Sequence, residues 1–177
     1  MPKGKGINSK AKGSEYERKI ARQLSQWWGE QFQRTPMSGG LHWKNDNRVA
    51  GDIVTPPDSV YPFTTECKKR EGWLLEQVLK GTGDVESWWE QSVKDGKRVD
   101  LKPILIFSKN FAPSYLMLQM PDFYKIVTES VKRDDSVDFN YFIVHVKGKA
   151  DRVVCDFDEF LKNVTKEDVM EALVNAE

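Results

Sequence analysis

The stretch Phe63-Thr64-Thr65-Glu66-Cys67-Lys68-Lys69 decides how the rest of the chain is read. Its aromatic, β-branched and alternating character predicts a strand. Side chains along a strand alternate between faces, so Phe63, Thr65 and Cys67 point one way and Thr64, Glu66 and Lys68 the other. An acid and a lysine therefore sit side by side on one face, while Cys67 reads as a small core residue. Just upstream, Gly51–Thr55 reads as a short apolar strand carrying Asp52, Pro56-Pro57-Asp58-Ser59 as a turn, and Val60–Lys69 as the following strand. A hairpin between the two would set Asp52 beside Glu66. Adjacent carboxylates repel each other unless a cation lies between them. A hard divalent ion takes such oxygen ligands, and Mg²⁺ keeps waters of its own. One such water can attack a phosphodiester, and Lys68 can orient it or offset charge on the phosphate. A lone Glu-x-Lys is far more often just a solvated cross-strand ion pair, so this reading needs support from elsewhere in the chain.

That support comes from the first helix, expected to begin near Gly13 or Ser14, where Ser14 and Glu17 have the form of a capping box. Tyr16, Ile20, Ala21, Leu24, Trp27 and Trp28 form one apolar face, and Gly29 ends the run. Glu17 falls in the middle of that face, where an acid needs a partner: a cation, or the helix N-terminus itself.

Further along, Gln31–Met37 reads as an edge strand with Pro36 near its end, and Ser38–Ala50 as a polar loop. Asp84–Asp95, Pro121–Lys132, Asp158–Lys162 and Lys166–Asn175 read as helices, with Pro121 opening one and Thr165 with Asp168 capping another. Pro103–Ser108, Ser114–Met120, Asn140–Lys147 and Arg152–Asp156 read as strands, and Gly81-Thr82-Gly83 as a loop. Helices before, between and after these strands predict an α/β domain, a mixed central sheet flanked by helices.

Composition sets the outer limits. A chain of 177 residues is the length of one domain. Residues 1–12 carry Lys3, Lys5, Lys10 and Lys12 without an acid and read as a flexible basic arm, leaving 13–177 as a single domain. Lys plus Arg equals Asp plus Glu, at 27 each, yet residues 1–50 hold 10 bases against 4 acids. That split suggests a polyanion-binding end on an acidic body. No apolar run approaches the ~20 residues of a membrane helix, and no apolar segment follows the N-terminus as in a secretory signal. Two cysteines, Cys67 and Cys155, make neither a disulfide framework nor a four-thiolate zinc site, and an intracellular location is expected. With only His42 and His145, histidine-rich metal sites are excluded; His145 reads as a structural strand residue. No Gly-x-x-x-x-Gly-Lys-Ser/Thr motif is present, which argues against a nucleotide cofactor.

Four segments, in order, resemble the archaeal-type Holliday junction resolvases of the PD-(D/E)XK nuclease superfamily. Lys12-Gly13-Ser14-Glu15-Tyr16-Glu17-Arg18 is similar to their K-G-x-x-x-E-R opening, and Gln33-Arg34-Thr35-Pro36-Met37-Ser38-Gly39 to their R-x-x-x-S-G strand and turn. Gly51-Asp52-Ile53 is similar to their acidic strand, and Glu66-Cys67-Lys68 to their E-x-K. The resemblance covers residues 10–120, so it implies a restriction-endonuclease-like core over about 13–120 and a C-terminal extension over 121–177. It implies a homodimeric, Mg²⁺-dependent endonuclease, with Mn²⁺ able to substitute, that nicks two strands of a four-way DNA junction symmetrically. Carried across, Glu17, Asp52 and Glu66 would bind metal with the backbone carbonyl of Cys67. Lys68 would be the catalytic lysine, and Arg18, Arg34 and Ser38 would contact phosphate. Lys12 of the arm joins this DNA-binding set.

The Gly39–Gly51 loop is longer than the family's usual connection. It interleaves His42, Trp43, Lys44 and Arg48, as a DNA-reading element would, or it is a disordered insertion. Two other readings stay open: a related nuclease acting on other DNA, restriction-like or in repair, and a junction-binding protein without catalysis. Three clustered acids add nothing to DNA binding, which disfavours the second. Recombination, repair and processing of branched phage genomes inside a host cell all fit the same residues.

Overall fold

The computed structural model describes residues 9–36 and 50–176. Helix α1 spans Ser9–Trp28, starting before the expected Gly13–Ser14. Lys and Ala are good helix formers, and a single interior glycine costs only about 1 kcal/mol. Ser14 therefore lies inside the helix instead of capping it, and Lys10 and Lys12 ride on helical turns. Gly29 ends the helix with φ +79°.

Strands β1 (Gln33–Arg34) and β2 (Ile53–Val54) pair antiparallel as a small ribbon, both shorter than expected. Strand β3 (Phe63–Lys69) runs parallel to β4 (Lys102–Ser108), with α2 (Leu75–Lys80) and α3 (Gly83–Val99) forming the crossover. Strand β5 (Tyr115–Gln119), helix α4 (Met120–Arg133), strands β6 (Tyr141–Val144) and β7 (Arg152–Asp156), and helices α5 (Phe157–Asn163) and α6 (Lys166–Leu173) follow. The five-stranded sheet has the order β3-β4-β5-β7-β6, parallel only at β3–β4. It is the mixed sheet flanked by helices that the sequence predicts.

The expected hairpin from Gly51–Thr55 into Val60–Lys69 does not form. The ribbon instead meets β3 through one parallel bridge, Gly51 to Thr65. Tyr61 explains the difference. Its ring is buried against Trp28, Phe32 and Phe63, at centroid distances of 4.8–5.4 Å, so the chain is pinned to α1 at Tyr61 before β3 begins.

Each face of the sheet has its own core. Ile104, Ile106, Leu116, Leu118, Val153 and Cys155 pack against α1, α4, α5 and α6 through Ile20, Leu24, Phe123, Phe160 and Val169. Leu105, Phe107, Met117 and Val154 pack against α2 and α3 through Val78, Val85 and Trp89. Residues 121–176 are thus bound into the same core as α1 and the sheet, since α4 and α6 cover the α1 face. The Thr165–Asp168 capping box forms as expected, and proline stands in the first turn of α4.

Other details depart from expectation. Helix α2 is an addition to the expected elements: Leu75, Val78 and Leu79 have helical i, i+3, i+4 spacing, but the helix is only six residues long and buries only Val78. The helix after it runs on to Val99. His145 lies beyond the end of β6, exposed, 2.7 Å from Asp151. Beneath α3, Arg152 is fully buried and ion-paired with Glu86, which Lys149 also contacts at 2.8 Å. Among the described residues no helix is long and apolar enough to cross a membrane.

Candidate active site

Strand β3 is an edge strand of the main sheet, with β4 on one side and only the ribbon on the other. The site forms along that open edge. The Asp52 amide donates to the Thr65 carbonyl at 2.8 Å, and the Asp52 carbonyl accepts from Thr35 N–H at 2.8 Å. The Thr35 hydroxyl also donates to the Gly51 carbonyl at 3.0 Å. Both neighbours thus clamp the Asp52 backbone. Gly51, with φ +77°, permits the approach: a Cβ there would stand 2.4 Å from the Thr65 carbonyl oxygen. Only glycine accepts both the dihedral and the contact.

So held, Asp52 aims its carboxylate at β3. Its Oδ2 accepts the Cys67 N–H at 2.8 Å. Lys68 Nζ lies 3.8 Å from the same Oδ2 and is hydrogen-bonded to Oε1 of Glu66. Strand alternation puts Glu66 and Lys68 on one face, as expected, while Cys67 is buried in the core under α1. The parallel bridge achieves the proximity of Asp52 to Glu66 that the sequence assigned to a hairpin.

Glu17 reaches the same region from α1. Tyr16 anchors that turn, its hydroxyl donating to Ser114 Oγ at 2.9 Å. The Glu17 carboxylate is mostly buried and ion-paired with Arg34 of β1. The partner demanded by an acid on the apolar face is therefore an arginine of this chain. Arg34, expected on phosphate, here holds Glu17. Among the described residues no three His, Cys, Asp or Glu side chains are gathered closely enough to close on one ion. Asp52 and Glu66 converge on the Lys68 ammonium, and Glu17 faces the Arg34 guanidinium.

The electrostatics follow from this crowding. Burial, then the Glu66 charge, push the Asp52 carboxyl up to about 7, with a smaller push from Glu17; Lys68 and the Cys67 N–H pull the other way. Burial opposes the charge on Lys68, but Asp52 and Glu66 outweigh it and hold its ammonium above the usual lysine range. An acid poised near neutrality between a second acid and a lysine binds a proton or a metal cation readily. This donor set, carboxylate oxygens with one oxygen of Asp52 not engaged by Cys67, suits a hard divalent cation.

A cleft of about 240 Å³ opens beside these groups, lined by Lys10, Ser14, Glu17, Lys68, Lys69 and Arg70 among others. Its lining is basic apart from Glu17, and Asp52 and Glu66 adjoin it through their ion pairs with Lys68. Lys69 and Arg70, which complete the basic run that begins at Lys68, line this cleft, and Lys10 is an addition to the expected site that the early start of α1 brings. Arg18 is exposed on α1, and Lys12 is half-buried on its first turns. Ser38, Lys44 and Arg48, with His42 and Trp43, lie outside the described residues.

Comparison with known proteins agrees with this architecture. Residues 8–171 match the family described as "Phage putative PDDEXK endonuclease". The chain is also similar to Protein D14 of Escherichia phage T5, 28% identical over 120 residues that cover 66% of this chain and 74% of that protein. No solved structure matches it. A match over nearly the whole chain, on a restriction-endonuclease-like mixed sheet with the acids and lysine at its open edge, establishes that the chain belongs to the phage PDDEXK endonuclease family.

Proposed function

We propose that this protein is a metal-dependent DNA endonuclease that cuts branched DNA, four-way junctions foremost, as a homodimer making paired nicks. The observation that carries the reading is Asp52, Glu66 and Lys68 in mutual contact beside a cleft walled by Lys10, Lys69 and Arg70. Basic walls attract a phosphodiester backbone. Clustered acids on the same site weaken that attraction, so their presence points to hydrolysis rather than binding alone.

Asp52, Glu66 and the Cys67 carbonyl would hold the cation, Mg²⁺ or Mn²⁺ in its place, and Glu17 would join them only on leaving its pair with Arg34. When bound, it supplies a water activated for attack on phosphorus. The chain's own residues do the rest. Lys68, held as an ammonium by its two acids, offsets charge that builds on the phosphate oxygens. Lys69 and Arg70, at the end of β3, position the scissile strand along the cleft. Arg34 holds the Glu17 carboxylate in an ion pair at the edge of the site. The preference for junctions rests on the resemblance of the segments at Lys12–Arg18, Gln33–Gly39, Asp52 and Glu66–Lys68 to the archaeal-type resolvases.

The test is cleavage of a synthetic four-way junction and of a linear duplex with the same arms, by wild type and Glu66→Ala, in Mg²⁺ and in EDTA. Paired symmetric nicks on the junction that require both Mg²⁺ and Glu66 are expected. Equal cutting of duplex and junction would remove the junction preference and keep the endonuclease. Junction binding without cleavage in any metal would turn the reading to a binding protein.

A further inference from the structure

The turn joining β4 to β5 carries a residue that the packing does not explain. Phe111 has a relative exposure of 109%, and its φ is +58°. Its amide lies within the turn Lys109–Ala112, closed by Ala112 N–H donating to the Lys109 carbonyl at 3.4 Å. A positive φ at the third residue of such a turn is the place for glycine or asparagine, and a bulky side chain there is an outlier. An apolar shelter lies close by. Trp73 is buried against Phe107 and Tyr115, with ring centroids 5.1 and 5.9 Å away. Phe111 belongs to neither core cluster.

The turn that presents it is firmly held. Ser108 Oγ lies 3.0–3.2 Å from the carbonyls of Lys109, Ala112 and Pro113, so its one hydroxyl proton always has an acceptor within the turn. Asn110 N–H donates to the Glu71 carboxylate at 2.9 Å, and Lys109 Nζ lies 4.7 Å from the Trp73 ring. Arg70 N–H donates to the Ser108 carbonyl at 3.1 Å, which roots the turn in the wall of the cleft. Ser108 pairs with Lys69, the neighbour of Lys68. Three residues of chain beyond one strand spacing put the Phe111 backbone within about 16 Å of that wall. That is less than the width of a DNA duplex.

We infer that Phe111 is a stacking residue that recognises an unpaired or unstacked nucleobase where a duplex is interrupted, and so helps select branched over continuous DNA. An aromatic ring presented to solvent by a hydrogen-bonded turn, beside a basic cleft, offers a flat π-face that any base accepts. In an intact duplex every base is already stacked on its neighbours, and the ring finds no partner. At a branch point bases open, and the same ring gains one. This inference rests on the endonuclease reading above.

The test measures affinity in EDTA, which separates binding from cleavage, for a four-way junction and a duplex of the same arms. Phe111→Gly is the variant of choice, because glycine suits the backbone at this position and folding is safe. It is expected to lose about tenfold in junction affinity, within the range for one stacked base, and nothing on duplex, while Phe111→Trp retains junction affinity. Unchanged junction affinity in Phe111→Gly overturns the inference and leaves the endonuclease reading standing. So does an equal loss on both DNAs, or a Phe111→Trp as weak as Phe111→Gly. A changed oligomeric state in Phe111→Gly, measured by sedimentation, also overturns it by assigning the ring to a contact between copies. A wild type that binds neither DNA overturns both readings.

Discussion

The Cys67 amide donates to the side chain of Asp52, Oδ2 at 2.8 Å, where a continued parallel ladder would give it to the Asp52 main-chain carbonyl. That carbonyl is already taken by Thr35 N–H, so the ladder stops after one bridge and the carboxylate takes its place. One displaced hydrogen bond thus fixes an acid at an open sheet edge, against the backbone of the Glu-x-Lys segment. The acid is held by the main chain, and its aim depends little on side-chain freedom.

The first prediction concerns the charge of Asp52. Its carboxyl is raised from 3.8 to about 7, first by burial and then by Glu66. The native state therefore keeps a proton through a window from about pH 4 to 7 in which the unfolded chain has lost it. The stability tied to that proton is complete below the lower value and is lost as pH rises through the upper one. Asp52→Asn keeps an oxygen for the Cys67 N–H and removes the charge. In EDTA at pH 8 it should be more stable than wild type by about 1–2 kcal/mol, because losing the buried charge and its repulsion by Glu66 outweighs losing its attraction to Lys68. In Mg²⁺ its cleavage should fall at least 10²–10³-fold, the scale for losing a group that acts on transition-state charge. Wild-type cleavage should rise with pH through neutrality. Denaturant melts at pH 5 and 8 check the sign; a variant less stable than wild type at pH 8 would show that the acid is not strained.

Lys68 is the cation between the two acids when no metal is bound. Lys68→Met leaves Asp52 and Glu66 facing each other with nothing between them. In EDTA at pH 8 the loss should be about 1–3 kcal/mol, below the cost of breaking a fully buried pair because Lys68 is partly exposed. Mg²⁺ should then raise the melting temperature of Lys68→Met more than that of wild type, because the ammonium no longer competes for the carboxylates. Cleavage should stay lost even at saturating metal. Scanning calorimetry with and without Mg²⁺ reads this, and identical metal shifts in the two proteins would contradict it.

Much of this site was legible because strand alternation is a local rule. Once Phe63–Lys69 is a strand, Glu66 and Lys68 share a face and Cys67 turns to the core, and the wheel position of Glu17 already required a partner. Which partner, Arg34, was not legible, because it depends on where a two-residue ribbon crosses α1. Nor was the parallel approach of Gly51 to Thr65, since hairpin and crossover give the same alternation pattern and differ only in the path of residues 56–62, which Tyr61 settles by its burial. Helix α2 was missed because six residues are too few to separate the Leu75, Val78, Leu79 spacing from a loop, and its leucines stay exposed, so packing adds little. Phe111 left no signal either, because its exposure and its positive φ exist only in three dimensions.

The last prediction tests the clamp itself. Alanine at position 51 would carry its Cβ to 2.4 Å from the Thr65 carbonyl oxygen and 2.9 Å from its carbon, both main-chain atoms that cannot swing aside. The φ of +77° adds its own penalty, about 1–2 kcal/mol for a residue with a Cβ. The ribbon must lift away from β3, which breaks the bond from Asp52 N–H to Thr65 and withdraws the carboxylate from Cys67. Gly51→Ala should therefore cost about 2–4 kcal/mol, a fall in melting temperature of roughly 4–16 °C for a domain of this size. Cleavage should suffer more than stability does. At a temperature where Gly51→Ala is still fully folded, it should cut at a small fraction of the wild-type rate, because Asp52 has moved while Glu66 and Lys68 stay in β3. Amide exchange at Cys67 gives the direct readout: its proton, protected in wild type by Asp52, should exchange much faster in Gly51→Ala, while Leu105 and Ile106, in the middle of the sheet, stay protected. A variant with full activity and an unchanged Cys67 rate would mean that Asp52 does not depend on the Gly51–Thr65 approach for its position.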